Sequence, residues 1–192
     1  MISKIKPVLV LSVICTLVCA LLIVTYNLTY VDTSGIITDD LMAACVSATG
    51  EANYQLITDR EAAGLDSDEF EAVNKIIKNT DNDTFLFEVI TDGYAADGID
   101  AVVAMNADGS VNAVAIVALG ETPGLGTKIN DDEFLAEFSG FSSDITISKN
   151  PPAANNEVQA MTGATYSSRG LAKAINTAIA AYQTLNKEVQ PA

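Results

Sequence analysis

The residues best suited to chemistry lie between Met161 and Gly170, where Thr162, Thr165, Ser167, Ser168 and Arg169 crowd a short stretch. Leu171, Ile175, Ile179 and Tyr182 follow at helical spacing, with Lys173 and Gln183 off that face, so the hydroxyls fall at a helix start. The first amides of a helix lack intrahelical partners and stand at the positive end of its dipole, so they attract an anion. Two readings follow from the residues alone. The hydroxyls cap the helix several times over, or with Arg169 they bind a phosphate.

A second segment, Gly120-Glu121-Thr122-Pro123-Gly124-Leu125-Gly126-Thr127, leaves an apolar run. Its glycines and proline suit either an ordinary strand-exit loop or a backbone that approaches a planar ligand closely. Glu121 and Thr122 supply polar groups at the turn.

These segments must be positioned by the elements around them. Helical punctuation predicts helices over 36–48 and 66–79, the second opened by Asp66-Ser67-Asp68-Glu69 and closed by Lys75 and Lys78. Phe85–Ile90, Ile99–Met105 and Val111–Leu119 read as adjacent antiparallel strands, with Asn106-Ala107-Asp108-Gly109 turning between the last two. Asp131–Phe138 reads as a short capped helix and Ile145–Ile147 as one more strand. The expected fold is α+β: an N-terminal transmembrane helix, then a small domain with an antiparallel sheet and packed helices.

Composition removes several kinds of chemistry. The 192 residues include no His and no Trp, which argues against a hydrolase built on a histidine base and against a zinc site. Of the three cysteines, Cys15 and Cys19 lie in an apolar run and Cys45 stands alone, so no disulfide framework or Cys-ligated metal centre is expected. Net charge is −15; setting aside Lys4 and Lys6 leaves eight bases against twenty-five acids beyond residue 30, a balance of −17. Such a domain repels nucleic acid and anionic lipid.

Pro7–Tyr26 carries no charge over 20 residues, enough for a helix to cross a hydrocarbon core of roughly 30 Å. A cleaved signal would have a shorter apolar region, and Tyr26, Asn27 and Tyr30 follow as interfacial residues. Ile14 and Val18, which precede the two cysteines, do not suit a lipoprotein acceptor. Residues 1–30 are therefore expected to be a cytoplasmic N-terminus and anchor, and 31–192 an extracytoplasmic domain. Lys4 and Lys6 on one side and Asp32, Asp39 and Asp40 on the other set that orientation.

Thr162-Gly163-Ala164-Thr165 resembles the Ser/Thr-Gly-Ala-Thr flavinylation motif of the FMN-binding domains in Rnf and sodium-pumping NADH:quinone reductase complexes. Glu-Thr-Pro-Gly-Leu-Gly at 121–126 resembles that family's other hallmark, at the usual distance upstream. The resemblance implies that Thr165 receives FMN from FAD as a phosphodiester, by way of a separate flavinyl transferase. It implies that Thr162, Gly163 and Ala164 shape the turn and that Ser167 and Ser168 hold the phosphate. It also implies that the loop with Glu121, Thr122, Gly124, Leu125 and Gly126 lies near the isoalloxazine ring. Gln159 stands where the family usually has Asp, a departure that bears on transferase recognition.

The implied function is electron relay within an Rnf-type ferredoxin:NAD oxidoreductase that drives ion translocation. Its partners would be the other membrane subunits, among them a second flavin-bearing one. The chain contains no NAD fingerprint and no cysteine cluster for iron–sulfur, so no catalytic residue and no metal site are assigned to it. A free-standing flavinylated carrier and a non-redox anchored domain binding a phosphorylated ligand or a protein partner are the alternatives at this stage.

Overall fold

A computed structural model describes the backbone of residues 2–189 and the side chains of residues 7–187. The side chains of Lys4 and Lys6 and the last three residues lie outside that range. Two compact units are present, residues 1–33 and 34–192.

The first unit is a single helix, α1 (Ile2–Thr29), of which Pro7–Thr29 is long and apolar enough to cross a bilayer. None of that surface is buried within the chain. Its few polar side chains bond back to the helix: Ser12 to the Val8 carbonyl, Thr16 to Ser12, Thr25 to Leu21 and Asn27 to Ile23. Polar groups satisfied within the helix cost little in a lipid environment.

The second unit opens with α2 (Asp39–Thr49), capped by the Thr38 hydroxyl and closed by Gly50. Five strands follow as an antiparallel meander in sequence order: β1 (Tyr54–Ile57), β2 (Val73–Asn79), β3 (Thr84–Thr91), β4 (Ile99–Met105) and β5 (Val111–Leu119). A short α3 (Asp132–Ala136) is capped by Asp131. Strands β6 (Thr146–Ser148) and β7 (Glu157–Gln159) form a separate parallel pair, and α4 (Thr165–Val189) completes the domain.

Both faces of the sheet are covered. Phe87, Val89, Ala101, Val103 and Met105 meet Leu171, Ile175 and Ile179 of α4. On the other face Ile77, Leu86, Val102, Ala104 and Ala115 meet Leu41, Ala44 and Cys45 of α2. This explains why Ala101–Met105 is apolar without alternation: a strand buried on both sides needs apolar residues at both parities. The Cys45 thiol, buried near the Glu88 carboxylate, is pushed up to about 12 and remains protonated.

The α+β class and most elements fall where the sequence places them. One does not. The helix expected over 66–79 is a single 3-10 turn, Asp68–Phe70, followed by β2. Val73, Ile76 and Ile77 are β-branched and bury toward opposite faces of the sheet, which a helix cannot do. The acidic opening thus starts only one turn. Arg60 fixes the connection instead, its guanidinium donating to the carbonyls of Leu65, Phe70 and Val73. Strands β1 and β7, four and three residues long, are too short to carry a readable periodicity.

A polar group lies on the α2 side of the sheet. Lys75 and Glu88 face each other across β2 and β3 with Nζ and Oε2 3.2 Å apart, both side chains about 5% exposed or less. Asn74 Nδ2 donates to the same oxygen at 2.5 Å. On β4, Asp100 Oδ1 is buried with no hydrogen-bond partner among the described residues. Burial, and next the Glu88 charge, raise the Asp100 carboxyl to about 7, with Lys75 opposing. The folded protein therefore keeps this proton to higher pH than the unfolded chain, so the group costs stability progressively as pH rises from the ordinary carboxylate range to about 7. Asp100→Asn should remove that loss and raise stability at pH 8 by about 1–2 kcal/mol, discounted for partial exposure. Urea titrations at pH 5 and pH 8 check it: the gain should be smaller at pH 5, and an equal shift at both would overturn the assignment.

Candidate functional site

The two motif segments each build a tight turn and meet in space. In the first, the Leu125 amide donates to the Thr122 carbonyl at 3.1 Å, with Pro123 second and Gly124 third at φ +74°. In the second, the Ala164 amide donates to the Met161 carbonyl at 2.9 Å, with Gly163 third at φ +83°. A positive φ at the third turn residue calls for glycine. The turns touch where Leu125 packs on Gly163: a Cβ added there would lie 3.4 Å from the leucine methyl.

Below the turns sits Glu121, 5% exposed. Its Oε2 accepts from the Ser167 hydroxyl at 2.5 Å, and its Oε1 accepts from the amides of Tyr94 and Ala95 at 2.8 and 3.0 Å. Glycines border the carboxylate: a Cβ on Gly126 would come within 2.3 Å of Oε2, and one on Gly93 within 2.4 Å of Oε1. Three segments far apart in sequence are joined here: the loop after β3, the loop after β5 and the first turn of α4.

Thr165 is the first residue of α4 and is half-buried. Its hydroxyl has no hydrogen-bond partner among the described residues. The residue before it, Ala164, accepts the first helical bond from the Ser168 amide at 2.8 Å but has only a methyl group where a capping oxygen would be. The amides of Thr165, Tyr166 and Ser167 are left without protein acceptors among the described residues, so the helix dipole faces an uncapped end. The Thr165 hydroxyl therefore lies beside a helix end whose first-turn amides attract an anion.

The expected site residues divide into two groups. Thr122, Gly124, Leu125, Thr162 and Gly163 lie at the surface around Thr165. Glu121, Gly126, Ala164, Ser167 and Ser168 are buried beneath. The Ser167 and Ser168 hydroxyls both have partners within the domain. Ser167 is bound to Glu121, while Ser168 accepts from the Met161 amide at 3.1 Å and donates to the Ala164 carbonyl at 2.9 Å. The seven-residue spacing from Met161 to Ser168 brackets the turn, so the serine closes it from within. Glu121 likewise faces the interior and not the outer side of the loop. Arg169 lies one turn farther along α4 and lines an open groove with Glu69, Phe70 and Lys173.

The structure adds residues that the sequence motifs do not include. Tyr94 and Tyr166 are 76% and 66% exposed, and their rings meet edge to face at 6.5 Å. Leu125, on the first of the two motif turns, is 49% exposed. Gly93-Tyr94 in the long β3–β4 connection is the local signal, but its link to Glu121 spans 27 residues and shows only in three dimensions.

Residues 93–180 match the family model described as FMN-binding domain. The G subunit of the Na(+)-translocating ferredoxin:NAD(+) oxidoreductase complex of Acetobacterium woodii is 32% identical over 100 residues, 50% of this chain and 47% of that one. The G subunit of the proton-translocating complex of Clostridium ljungdahlii is 33% identical over 120 residues, 59% of this chain and 64% of that one. The chain thus spans about half to under two thirds of the relatives it matches. Among solved structures, NqrC of Shewanella oneidensis gives a TM-score of 0.49 at 22% identity over 60% of each chain. The C subunit of the Na(+)-translocating NADH-quinone reductase of Parabacteroides distasonis gives 0.48 at 18%, over 81% of this chain and 74% of that one. The residues matched by the FMN-binding model include both motif turns, Glu121 and most of α4.

Proposed function

We propose that this chain is a membrane-anchored electron-transfer subunit of an Rnf-type ferredoxin:NAD oxidoreductase, carrying FMN esterified through its phosphate to Thr165. The observation that carries this reading is the unengaged Thr165 hydroxyl at the uncapped start of α4, inside the FMN-binding segment. FMN, when bound, supplies the redox chemistry. The chain contributes attachment, orientation and electrostatics.

Thr165 Oγ1 is the nucleophile of maturation. It forms a P–O bond to the FMN-side phosphorus of FAD, the diphosphate P–O bond breaks, and AMP leaves. The threonine proton passes to solvent by way of a flavinyl transferase, which supplies the general base that this His-free chain lacks. The product would be a phosphodiester with a single negative charge, which the first-turn amides of α4 would hold. Leu125, Tyr94 and Tyr166 give apolar surface nearby for a flat ring. Tethering keeps the cofactor on a carrier outside the cytoplasm, where a dissociated FMN would be lost.

The remaining parts of the reading concern placement. Residues 1–30 form the cytoplasmic N-terminus and anchor, residues 31–192 the extracytoplasmic domain, and the N-terminal lysines set the orientation. The partners are the other membrane subunits of the complex, including a second flavin-bearing one. The strongly acidic domain keeps clear of anionic headgroups and leaves α1 as the membrane contact.

Coexpression with a flavinyl transferase, followed by intact mass under denaturing conditions, tests the attachment. Wild type should gain the mass of one FMN less one water, Thr165→Ser should keep part of it and Thr165→Ala none. An unmodified wild-type chain from that host sinks the covalent reading. A second measurement tests the anchor: the full chain should sediment with membranes, and a chain starting at Ser34 should be soluble. Equal partition of the two would exclude α1 as the anchor.

A further inference from the structure

Glu121 belongs to the motif that the resemblance places near the flavin ring, yet its carboxylate points away from the surface and is consumed by three protein donors. We propose that Glu121 is the positioning residue of the attachment turn. It acts through Ser167 and the Tyr94–Ala95 backbone to fix the first turn of α4 and so aim the Thr165 hydroxyl outward. This inference rests on the reading of Thr165 as the attachment residue.

Helix geometry supports it. Ser167 lies two residues beyond Thr165, about 200° around a helix of 3.6 residues per turn. Clamping Ser167 inward therefore turns Thr165 to the opposite side, where it is half-buried and unpartnered. Ser168 fixes the height of the same turn through Met161 and Ala164. The clamp also sets both members of the aromatic pair, since Glu121 holds the Tyr94 amide and, through Ser167, the turn that carries Tyr166.

The chemistry of the clamp calls for a carboxylate. Three donors converge on two oxygens, and hydrogen bonds to an ionised acceptor are stronger than neutral ones. Gly93 and Gly126 leave space for the two oxygens and for no side chain between them. Glutamine is the nearest substitute: its carbonyl can take the two amides, and its NH2 can donate to the Ser167 oxygen. Alanine leaves all three donors without an acceptor.

The test compares full-length wild type, Glu121→Gln, Glu121→Ala and Ser167→Ala by amide hydrogen exchange, transferase-catalysed FMN transfer from FAD, and visible circular dichroism of the attached flavin. Glu121→Ala and Ser167→Ala should speed exchange over residues 93–96 and 161–168 by about tenfold or more, with residues 174–185 unchanged. FMN transfer should slow by about tenfold and Glu121→Gln should recover most of both losses. Exchange that rises throughout α4 would reduce Glu121 to a general fold contact and overturn the proposal. So would faster local exchange with wild-type transfer and flavin dichroism. Should Glu121→Ala fail to fold, Ser167→Ala decides alone: wild-type exchange and transfer in that variant refute the clamp. Failure of the wild-type chain to accept FMN would fell the attachment reading instead, and exchange would still show whether Glu121 holds the turn.

Discussion

A buried carboxylate that accepts three hydrogen bonds ties three separate segments of this domain together. Glu121 ends the β5 exit, holds the backbone of the β3–β4 loop and draws the first turn of α4 inward. A buried carboxyl group is tolerable only when its polar atoms find partners, and here the partners come from two distant segments. The glycines at 93 and 126 follow from the same constraint, because a Cβ at either would displace the carboxylate. What reads in the sequence as a glycine-rich ligand loop is equally the casing of an internal anion.

The sheet supplies the rigid base for this arrangement. Its central strands are apolar on both faces, packed by α4 on one side and α2 on the other, so that the β3 and β5 exits and the α4 start are delivered to one end of the domain. Rigid elements hold a site more precisely than loops do. The Lys75–Glu88–Asp100 group is an exception within the α2 face: two acids share one base, and Asp100 Oδ1 has no protein partner among the described residues. Such an arrangement costs stability, and its pH dependence gives a readout of the fold that is separate from the site.

Helix α4 serves two ends at once. Its middle buries Leu171, Ile175 and Ile179 against the sheet, while the hydroxyl of its first residue and its first-turn amides have no partner among the described residues. Natural helices usually start on a capping side chain. Ala164 in that place leaves the end open, and an anion bound there would restore what the missing cap omits. The exposed aromatic pair beside it is costly for a free surface in water, which fits a place where a ring or another protein rests.

Periodicity made the apolar strands, the α4 face and the long N-terminal helix legible, since each repeats its signal over several residues. It misread 66–79, where charges at the ends imitate helix punctuation while Val73, Ile76 and Ile77 serve two opposite faces. Thr165 was singled out only by the resemblance of residues 162–165 to a known motif; the residues alone showed several hydroxyls crowding a helix start. Neither could show that Ser167 and Ser168 turn inward, that Glu121 faces the core, or that Tyr94 lies beside Tyr166. The Glu121 bonds to Tyr94 and Ser167 cross 27 and 46 residues, and the Tyr94–Tyr166 contact joins residues farther apart still. Side-chain direction at such range is set by how the sheet and α4 pack. The sequence by itself determined which segment could cross a membrane and where hydroxyls crowd a helix start, since both depend on local residue type and length. The tertiary structure alone decided which hydroxyl is free, because only packing settles which donors find a partner first.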